Sequence, residues 1–332
     1  MRACVYNEYG PPEVLHMEEV PKPAPKEHEV LVRVRATTVN FGDLIARNFK
    51  DVTPRRFHMP LFLWLPARLA FGVRAPRQRV LGSEFAGDVE AVGAAVTRFK
   101  VGDPVFGYLG QRMGAYAEYV CANEGDAVAI KPASLSYEEA AAIPYGAVMA
   151  VGLLRKVDIQ PGQRVLIHGA SGGIGAAAVQ LARHRGAEVT GVCGAPRLGF
   201  VKALGADKVI DYGEEDFARG GVAYDVILDV LGKCSFARCK GALRPEGTLL
   251  YASFKTRQLL QMLWTSMVGG RRVVCAFAPG DLADLRIVQE LVEVGALSAH
   301  VDRRYPLAQA AEAHRYAASD RKQGQVVIAV DG

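Results

Sequence analysis

The stretch "VLIHGASGGIGAAAVQLARHRGAEVTGVCG", from Val165 to Gly194, decides the fold. A branched apolar strand enters a turn of small residues, an alanine-rich helix follows, and a second strand begins. From about residue 125 onward, strand-like and helix-like segments alternate, which predicts a parallel, doubly wound sheet with right-handed crossovers. The predicted strands lie near 163–168, 187–192, 207–211, 224–229, 247–252 and 272–277.

The first 124 residues follow another pattern. Short apolar segments are separated by Gly, Pro and charged turns, and "VLVRVRA" alternates with the period of two that is typical of a half-buried strand. The chain is 332 residues long, more than one ordinary domain needs. We therefore predict an α/β protein in which a β-rich domain precedes the doubly wound one.

The composition excludes several classes of protein. The net charge is only +5, and no motif of a nucleic-acid-binding domain accompanies it. The opening "MRACVYNEYG" lacks the apolar core of a signal peptide, and no uninterrupted apolar run reaches the roughly 18 residues of a membrane span. Six scattered cysteines indicate reduced thiols, so we expect a cytoplasmic protein.

The glycine turn has the setting of a dinucleotide-binding site: strand, turn, helix, strand. Gly172 and Gly175 stand as the second and third glycines of G-x-G-x-x-G, with Ala170 in the first position. Gly172 would let the backbone approach a pyrophosphate, and Gly175 would let the helix pack close to its strand. The backbone around Ser171, Gly173 and Ile174 would present N–H groups to the phosphates.

The end of the second strand selects the cofactor. In a site for NAD, an Asp or Glu about 20 residues on binds the ribose 2′-hydroxyl. Here Cys193 and Gly194 hold the corresponding positions, and Arg197 follows closely. A missing carboxylate beside an Arg favours a 2′-phosphate, so we predict NADPH (NADP+) as the cofactor.

The same turn also fits the glycine pattern of short-chain dehydrogenases, and "YASFK", Tyr251 to Lys255, fits their Tyr-x-x-x-Lys motif. Those enzymes carry the turn near the N-terminus and the Tyr and Lys on one helix face. Here about 165 residues precede the turn, and Tyr251 closes an apolar strand. We reject this interpretation.

The order of domains, together with several segments, resembles the medium-chain dehydrogenase/reductase superfamily over essentially the whole chain. Within it the chain looks most like the quinone oxidoreductase branch, in the group that includes reticulon-4-interacting protein and the plant chloroplast-envelope quinone oxidoreductase homologue. The segments are "VNFGDLIARN" (39–48), "LGSEFAGDVEAVG" (81–93), "RFKVGDPVFG" (98–107), "GAYAEYV" (114–120), "AAIPYGAVMAVGLL" (141–154), "GASGGIGAAAVQLA" (169–182), "LGADKVIDY" (204–212), "YDVILDVLGK" (224–233) and "KGALRPEGTLL" (240–250).

The resemblance implies a GroES-like catalytic domain over 1–124, completed by 278–332. A Rossmann NADP-binding domain over 125–277 would be inserted between these parts, with the active site in the cleft between the domains. It also implies coenzyme contacts from Tyr212, Val230 and Phe254. The strand "VVCAFA" (273–278) lies where relatives pair their sheets across a dimer, so we expect a homodimer.

Many members of the superfamily are zinc alcohol dehydrogenases, and catalytic zinc needs three protein ligands. Where those enzymes have Cys, His and Cys, this chain has Asn40, Ser83 and about Ala142, and the lobe with four cysteines is missing. We therefore expect no metal.

Without a metal, hydride transfer from NADPH to a quinone or an α,β-unsaturated carbonyl fits better than alcohol oxidation. The carbonyl oxygen gains negative charge and needs a hydrogen-bond donor. The resemblance places Asn40 and Tyr145 near the nicotinamide and the substrate, and we predict both as catalytic residues. Asp43 and Arg47 are interpreted as a structural ion pair.

Two alternative functions stay open. Ile45 stands where the branch often has Tyr, and Ala147-Val148-Met149 replaces the usual Gly-Leu-Thr. The chain could be an NADPH-binding protein with little turnover, or an alcohol dehydrogenase.

Two segments, 50–79 and 254–272, combine large apolar residues with arginines. They could wall the cleft for a small lipophilic substrate, pack in a subunit interface, or rest on an anionic membrane surface. In the third of these alternatives, the membrane contact would run through 55–79. Pro66 and Arg68 interrupt the first apolar run, so it cannot span a bilayer.

Overall fold

A computed structural model describes residues 1–54, 56 and 59–330 of the chain. Its strands are β1 Arg2–Val5, β2 His16–Glu19, β3 Glu29–Val39, β4 Glu84–Val92, β5 Pro104–Tyr108, β6 Tyr119–Asn123, β7 Ala127–Ile130, β8 Arg164–His168, β9 Glu188–Cys193, β10 Lys208–Asp211, β11 Tyr224–Asp229, β12 Leu243–Tyr251, β13 Arg272–Cys275, β14 Val301–Pro306 and β15 Gln325–Ala329.

The α-helices alternate with these strands mainly in the second half of the chain. They are α1 Phe41–Arg47, α2 Trp64–Phe71, α3 Tyr137–Ala141, α4 Pro144–Leu154, α5 Gly173–His184, α6 Leu198–Ala203, α7 Phe236–Cys239, α8 Thr256–Val268, α9 Leu282–Glu293 and α10 Ala310–Ala317. Single turns of 3-10 helix occur at Pro12–Val14, Phe49–Asp51, Leu61–Leu63, Gly110–Arg112, Ala195–Arg197, Lys240–Ala242 and Leu307–Gln309.

One compact unit is β-rich. It comprises the described residues of Met1–Arg55, Pro66–Val148 and Gly280–Gly332. Its main sheet has the order β14-β15-β3-β4-β5-β7, and β6 pairs with β3. The long strand β3 alternates as its sequence predicts, with Val30, Val32 and Val34 fully buried, and the core forms on that face.

The other compact unit comprises the described residues of Arg56–Leu65 and Met149–Pro279. Its sheet is parallel throughout, in the order β10-β9-β8-β11-β12-β13. The strand order reverses between β8 and β11, because the chain moves outward from β8 to β10 and then returns to the other side. In such sheets ligands bind beyond the carboxyl ends of the strands at the point of reversal.

The predicted fold class is confirmed, and each of the six predicted strands of the parallel sheet is found. The division of the chain differs from the prediction in two places. The described residues of Arg56–Leu65 group with the coenzyme unit and not with 1–124. The prediction also began the coenzyme domain at 125, whereas β7 pairs with β5 and α3 packs on β3 and β4 in the β-rich unit. Beyond that short segment, the two compact units divide at Val148 and Met149, and again at Pro279 and Gly280.

Candidate active site and coenzyme site

The glycine turn follows β8 directly and begins α5. Gly169 adopts a φ of +88°, which a side chain would strain, and its carbonyl accepts the Gly172 N–H at 3.2 Å. Gly175 packs so closely on this turn that an added Cβ would lie 2.1 Å from the Gly169 oxygen. The tight turn and the close helix packing predicted from the motif are therefore present, with Gly169 as an additional glycine that the motif did not single out.

The residues of this turn fit a pyrophosphate. Gly172 caps α5 and is exposed, and a Cβ there would meet no protein atom closer than 3.6 Å, so the absent side chain leaves room above the turn. The N–H groups of Gly173, Ile174 and Gly175 open the helix without an intrahelical acceptor. The first turn carries no acidic side chain, so the positive end of the helix dipole is not compensated there.

Ala170 and Ser171 complete the turn. Ala170 is fully buried, and its N–H bonds the Val192 oxygen at 3.0 Å, which fixes the turn against β9. Ser171 is half-buried at the surface of the turn. Because its side chain is buried, Ala170 contributes to the turn through its backbone.

The ends of β9 and β10 bring four predicted coenzyme residues together. Burial raises the pKa of the Cys193 thiol to about 11, and the nearby Arg197 guanidinium opposes that rise, which places its charge close to the end of β9. The Tyr212 ring lies against Gly194, where an added Cβ would be 3.2 Å from the hydroxyl. The neighbouring carboxylate of Asp211 accepts the Gly213 N–H at 2.9 Å in its own loop. The Arg197 guanidinium and the exposed Tyr212 ring therefore lie next to the end of β9, the position at which an NAD site carries its Asp or Glu.

The two remaining predicted coenzyme residues behave differently. Val230 is half-buried directly after β11, and its N–H bonds the His168 oxygen at 3.2 Å. Phe254 is buried in the core of its unit, among side chains that include Tyr251 and Leu249. Its side chain is therefore part of the packing, and only its backbone is left for a ligand.

Sequence reasoning missed a polar network beside this turn. Asp229 is fully buried at the end of β11, and its carboxylate accepts the backbone N–H groups of Leu231, Gly232 and Cys234. The Nδ1 of His168 lies 3.0 Å from its Oδ1. The sequence signal that could have revealed this network is an Asp at the end of an apolar strand with a glycine shortly after it, as in "YDVILDVLG".

His168, Asp229 and Cys234 are the one group of three side chains among the described residues whose ligand atoms lie close enough to share a metal ion. Both Asp229 oxygens already accept N–H donors from the loop that they hold. Because a ligand oxygen would have to give up those hydrogen bonds, we interpret the group as a loop anchor.

Asn40, predicted as a catalytic donor, is buried and fully engaged. Its Oδ1 accepts the N–H groups of Gly42 at 2.9 Å and Asp43 at 3.3 Å, which caps α1. Its Nδ2 donates to Ser83 Oγ at 2.7 Å and to Glu84 Oε2 at 3.0 Å. An amide has two N–H groups, so Asn40 has none left for a substrate. Its role in this structure is to hold α1 against β4.

The same residues do not fit catalytic zinc, the metal that this fold often carries. Two of the three ligand positions, Asn40 and Ser83, are hydrogen-bonded to each other. The third, Ala142, is buried and has no ligand atom. Glu84 is left as one carboxylate, and it accepts hydrogen bonds from the Thr38 hydroxyl, Asn40 Nδ2 and the Tyr145 N–H. No soft or imidazole ligand faces this point among the described residues, so we derive no chemistry from a metal.

Tyr145, the second predicted catalytic residue, is the second residue of α4, and a hydrogen bond from its backbone holds it in place. Its N–H donates to Glu84 Oε1 at 2.7 Å, while its half-buried hydroxyl bonds no described residue. Its ring centroid lies 6.0 Å from that of Tyr108, which sequence reasoning missed and whose hydroxyl is likewise without a partner in the described part of the chain. The signal was an aromatic that closes β5, in "DPVFGY".

Burial, reinforced by nearby acidic groups, raises the pKa of these two tyrosines and keeps their hydroxyls protonated. Burial raises the pKa of Tyr145, and the carboxylates of Glu84 and Asp43 raise it further. The pKa of Tyr108 is raised by burial, then by Tyr145, Glu84 and Asp43. Burial raises the pKa of Asp43 itself to about 7. Each tyrosine is therefore a hydrogen-bond donor over the physiological range.

The expected ion pair between Asp43 and Arg47 is not among the contacts of the described residues. Asp43 accepts the N–H groups of Asn40 and Gly82, each at 3.0 Å. Arg47 donates to the Gly10 oxygen at 3.2 Å and lies 2.9 Å from Nδ1 of His314. Both residues are structural, as predicted, but they serve separate networks.

The apolar, basic segment at 50–79 is only partly built into the core. Phe71 stacks on Phe49, with ring centroids 4.5 Å apart, and Arg68 donates to two backbone oxygens, of Phe49 and Val73. Leu61, Phe62, Leu65 and Leu69 are exposed. Arg55, part of the predicted membrane contact, lies outside the described residues. Among the described residues, the longest apolar helix falls short of what a bilayer crossing requires.

Comparison with known proteins places this chain in a family. The family profile "Alcohol dehydrogenase GroES-like domain" matches 26–132, and "Zinc-binding dehydrogenase" matches 204–328. The quinone oxidoreductase of Pseudomonas aeruginosa is 31% identical over 96% of this chain and 97% of its own length. The chloroplastic NADPH-dependent alkenal/one oxidoreductase of Arabidopsis thaliana is 27% identical over 99% of this chain and 79% of its own.

The structure of the quinone oxidoreductase from Coxiella burnetii superimposes with a TM-score of 0.85 at 27% identity, covering 99% of each chain. The fold and the order of the two domains agree with these relatives, and the sequence resemblance is confirmed. The chain belongs to the medium-chain dehydrogenase/reductase family, in its quinone oxidoreductase branch.

Proposed function

We propose that this protein is an NADPH-dependent reductase that transfers hydride to a quinone or an α,β-unsaturated carbonyl of lipophilic character. The observation that carries the proposal is the pair of donor tyrosines, Tyr145 and Tyr108, near Glu84. The Glu84 carboxylate already accepts hydrogen bonds from Thr38, Asn40 and the Tyr145 N–H. The relatives that are named quinone oxidoreductase and NADPH-dependent alkenal/one oxidoreductase support the same reaction.

Different residues of the coenzyme unit bind different parts of NADPH. Gly172 and the N–H groups from Gly173 to Gly175 hold the pyrophosphate, and Arg197 with Tyr212 holds the 2′-phosphate and the adenosine end. NADPH, when bound, supplies the hydride.

The proposed catalytic residues are Tyr145 and, in place of Asn40, Tyr108. Reduction places negative charge on the carbonyl oxygen of the acceptor. A tyrosine hydroxyl that burial keeps protonated stabilises that charge by donating a hydrogen bond. Glu84 and Asn40 are positioning residues, because Glu84 holds the first turn of α4 through the Tyr145 N–H and Asn40 holds Glu84.

The test of the reaction is steady-state kinetics with a panel of quinones and alkenals on Tyr145→Phe, Tyr108→Phe and the double variant. Loss of a single oxyanion donor is expected to lower kcat by about 10²-fold, with NADPH affinity unchanged. Tyr119→Phe, on β6, serves as the matched control. If all three variants keep the parent kcat, the tyrosines are not donors. If the parent binds NADPH tightly but does not consume it with any acceptor, the protein is a coenzyme-binding protein with little turnover.

The test of the coenzyme assignment is calorimetric titration with NADPH and NADH. Arg197→Ala is expected to weaken NADPH binding at least tenfold, about 1.4 kcal/mol, and to leave NADH binding unchanged. Arg219→Ala, whose side chain is 89% exposed in the same unit, is the control. Equal losses for both coenzymes would show that Arg197 does not contact the 2′-phosphate.

The assembly that we propose is a cytoplasmic homodimer. Strand β13 lies at one edge of the parallel sheet, where its outer backbone groups can pair with a second copy. The six cysteines are free and at least half-buried, which suits a reducing compartment. Light scattering is expected to give twice the chain mass of 35.8 kDa, and a monomer would contradict the dimer. Contact of 55–79 with a membrane surface remains a proposal of the same kind.

A further inference from the structure

Helix α8 is apolar on two faces. Leu259 and Met262 pack against the core of the coenzyme unit, and the buried Thr265 hydroxyl accepts the Val273 N–H at 3.0 Å. A second set of side chains, spaced i, i+3, i+4, i+7 and i+8, forms one stripe on the outer face. This α8 stripe consists of Leu260, Leu263, Trp264, Met267 and Val268.

The α8 stripe is strongly exposed although its helix is firmly anchored. Leu260 is 64% exposed, Met267 72% and Val268 63%. Trp264 meets Phe236 edge-on, with ring centroids 6.4 Å apart, so it is fixed on one side and open on the other. Single exposed apolar residues are common on protein surfaces, whereas a continuous stripe on a well-packed helix marks an interaction surface.

The sequence around the stripe is uniformly basic. No Asp or Glu occurs over 230–245 or over 247–280. Phe236, which contacts Trp264, lies within the first of these stretches. Arg238 and Arg244 are paired with Asp216 and Asp225. The other exposed cations of the two stretches are Lys233, Lys240, Lys255, Arg257 and Arg272.

We propose that the α8 stripe docks this protein on an anionic lipid bilayer. The apolar side chains enter the boundary between headgroups and acyl chains, Trp264 sits at headgroup level, and the surrounding cations face lipid phosphates and carboxylates. A second copy of the chain suits the stripe less well. A two-fold axis at the stripe itself, rather than at the β13 edge, would bring Lys255 and Arg257 toward an identical helix that has no Asp or Glu.

This inference does not rest on the proposed reductase reaction. It uses only the surface of α8 and the charges beside it, and its readout contains neither coenzyme nor electron acceptor. Failure of the kinetic experiments would therefore leave it standing, and its own failure would leave the reductase standing.

The experiment is cosedimentation of the full chain with vesicles of phosphatidylcholine alone or of equal parts phosphatidylcholine and phosphatidylserine. Binding is expected only to the anionic vesicles and is expected to weaken as salt is raised. The variant Leu263→Gln/Met267→Gln, which keeps good helix formers at exposed positions, is expected to bind at least tenfold more weakly, about 1.4 kcal/mol. Arg257→Gln/Arg272→Gln is expected to lose a similar factor. Val294→Gln, at a position 70% exposed on the β-rich unit, is the control and should bind like the parent.

A second readout reports on the stripe itself. The chain has two tryptophans, so Trp64→Phe leaves Trp264 as the single fluorophore, and its emission is expected to shift to the blue on anionic vesicles. Equal binding to both kinds of vesicle, or parent-like binding by the stripe variant, would overturn the proposal. So would a halved mass of the stripe variant in light scattering without any lipid binding by the parent, which would identify the stripe as a face between two copies.

Discussion

Substitution of Gly175 by Ala tests whether the glycine turn is built by close packing. An added Cβ would lie 2.1 Å from the Gly169 oxygen and 2.8 Å from Ala170 Cα, both backbone atoms that no rotamer change can move. Ordinary contact begins near 3.4 Å, so α5 or the turn must shift by about an ångström. Overpacking of this kind costs about 1–3 kcal/mol.

Helix propensity opposes this cost. Ala is favoured over Gly within a helix by about 1 kcal/mol at most. We therefore expect Gly175→Ala to lower the free energy of unfolding by up to about 2 kcal/mol, measured in urea, and to weaken NADPH binding because the turn is displaced.

Two further glycines separate packing from ligand contact. Gly172→Ala should change stability by less than about 1 kcal/mol, because Ala is a poorer N-cap than Gly but stiffens the unfolded chain, and its Cβ meets no protein atom closer than 3.6 Å, yet it should weaken NADPH binding because the methyl group occupies the phosphate space. Gly199→Ala, in α6 with no atom within 4 Å of the new Cβ, should be neutral or stabilising. If Gly175→Ala proves as stable as Gly199→Ala, the packing argument is refuted.

Two other predictions concern buried polar groups in the β-rich unit. Burial, followed by the charge of Arg47, lowers the pKa of His314 to about 3 from its ordinary 6.5, so only the unfolded chain takes up this proton between those values. Stability should therefore fall as pH drops below 6.5, by up to about 1.4 kcal/mol per pH unit. His314→Gln should flatten the urea midpoint against pH, and the exposed His16→Gln should not. Asn40→Ala should lose about 2–3 kcal/mol, because a helix cap and two buried hydrogen bonds disappear. Asn48→Ala, at an exposed contact with Asp51, should lose much less, and equal losses would contradict the assignment of Asn40 as a cap.

The parts of the fold that the sequence predicted are those with local causes. The central strands β8 and β11 of the parallel sheet are short runs of Val, Ile and Leu that are buried on both faces, and the spacing of the strands leaves room for one helix each. The glycine turn was predictable because the close approach of α5 to the turn at Gly175 leaves no space for a side chain. By contrast, β7 is only four residues long, and its sequence would fit a strand of either domain. Only its pairing with β5, a tertiary contact, assigns it.

Side-chain roles were less predictable, because a residue type does not reveal how many of its hydrogen bonds the protein itself uses. Phe254 follows a strand that borders the coenzyme site, yet its ring turns into the core, and nothing in "YASF" distinguishes the two directions. Cys193, Gly194, Arg197 and Tyr212 do come together, since register between neighbouring parallel strands places Asp211 opposite Cys193. That register follows from the topology, which the alternation of elements already implied.

Asn40 shows what the loss of a metal ligand leads to in this fold. A carboxylamide at a ligand position does not stay available for chemistry: its oxygen caps α1 and its nitrogen ties Ser83 to Glu84. The second carboxylate oxygen of Glu84, Oε1, accepts the Tyr145 N–H. Each of these groups therefore acts on another protein group, whereas the hydroxyls of Tyr145 and Tyr108 bond no described residue and can donate to a substrate. If the chain reduces carbonyl compounds as proposed, the charge that develops on the substrate oxygen must be met there, so the double variant Tyr145→Phe/Tyr108→Phe should lose more activity than either single one.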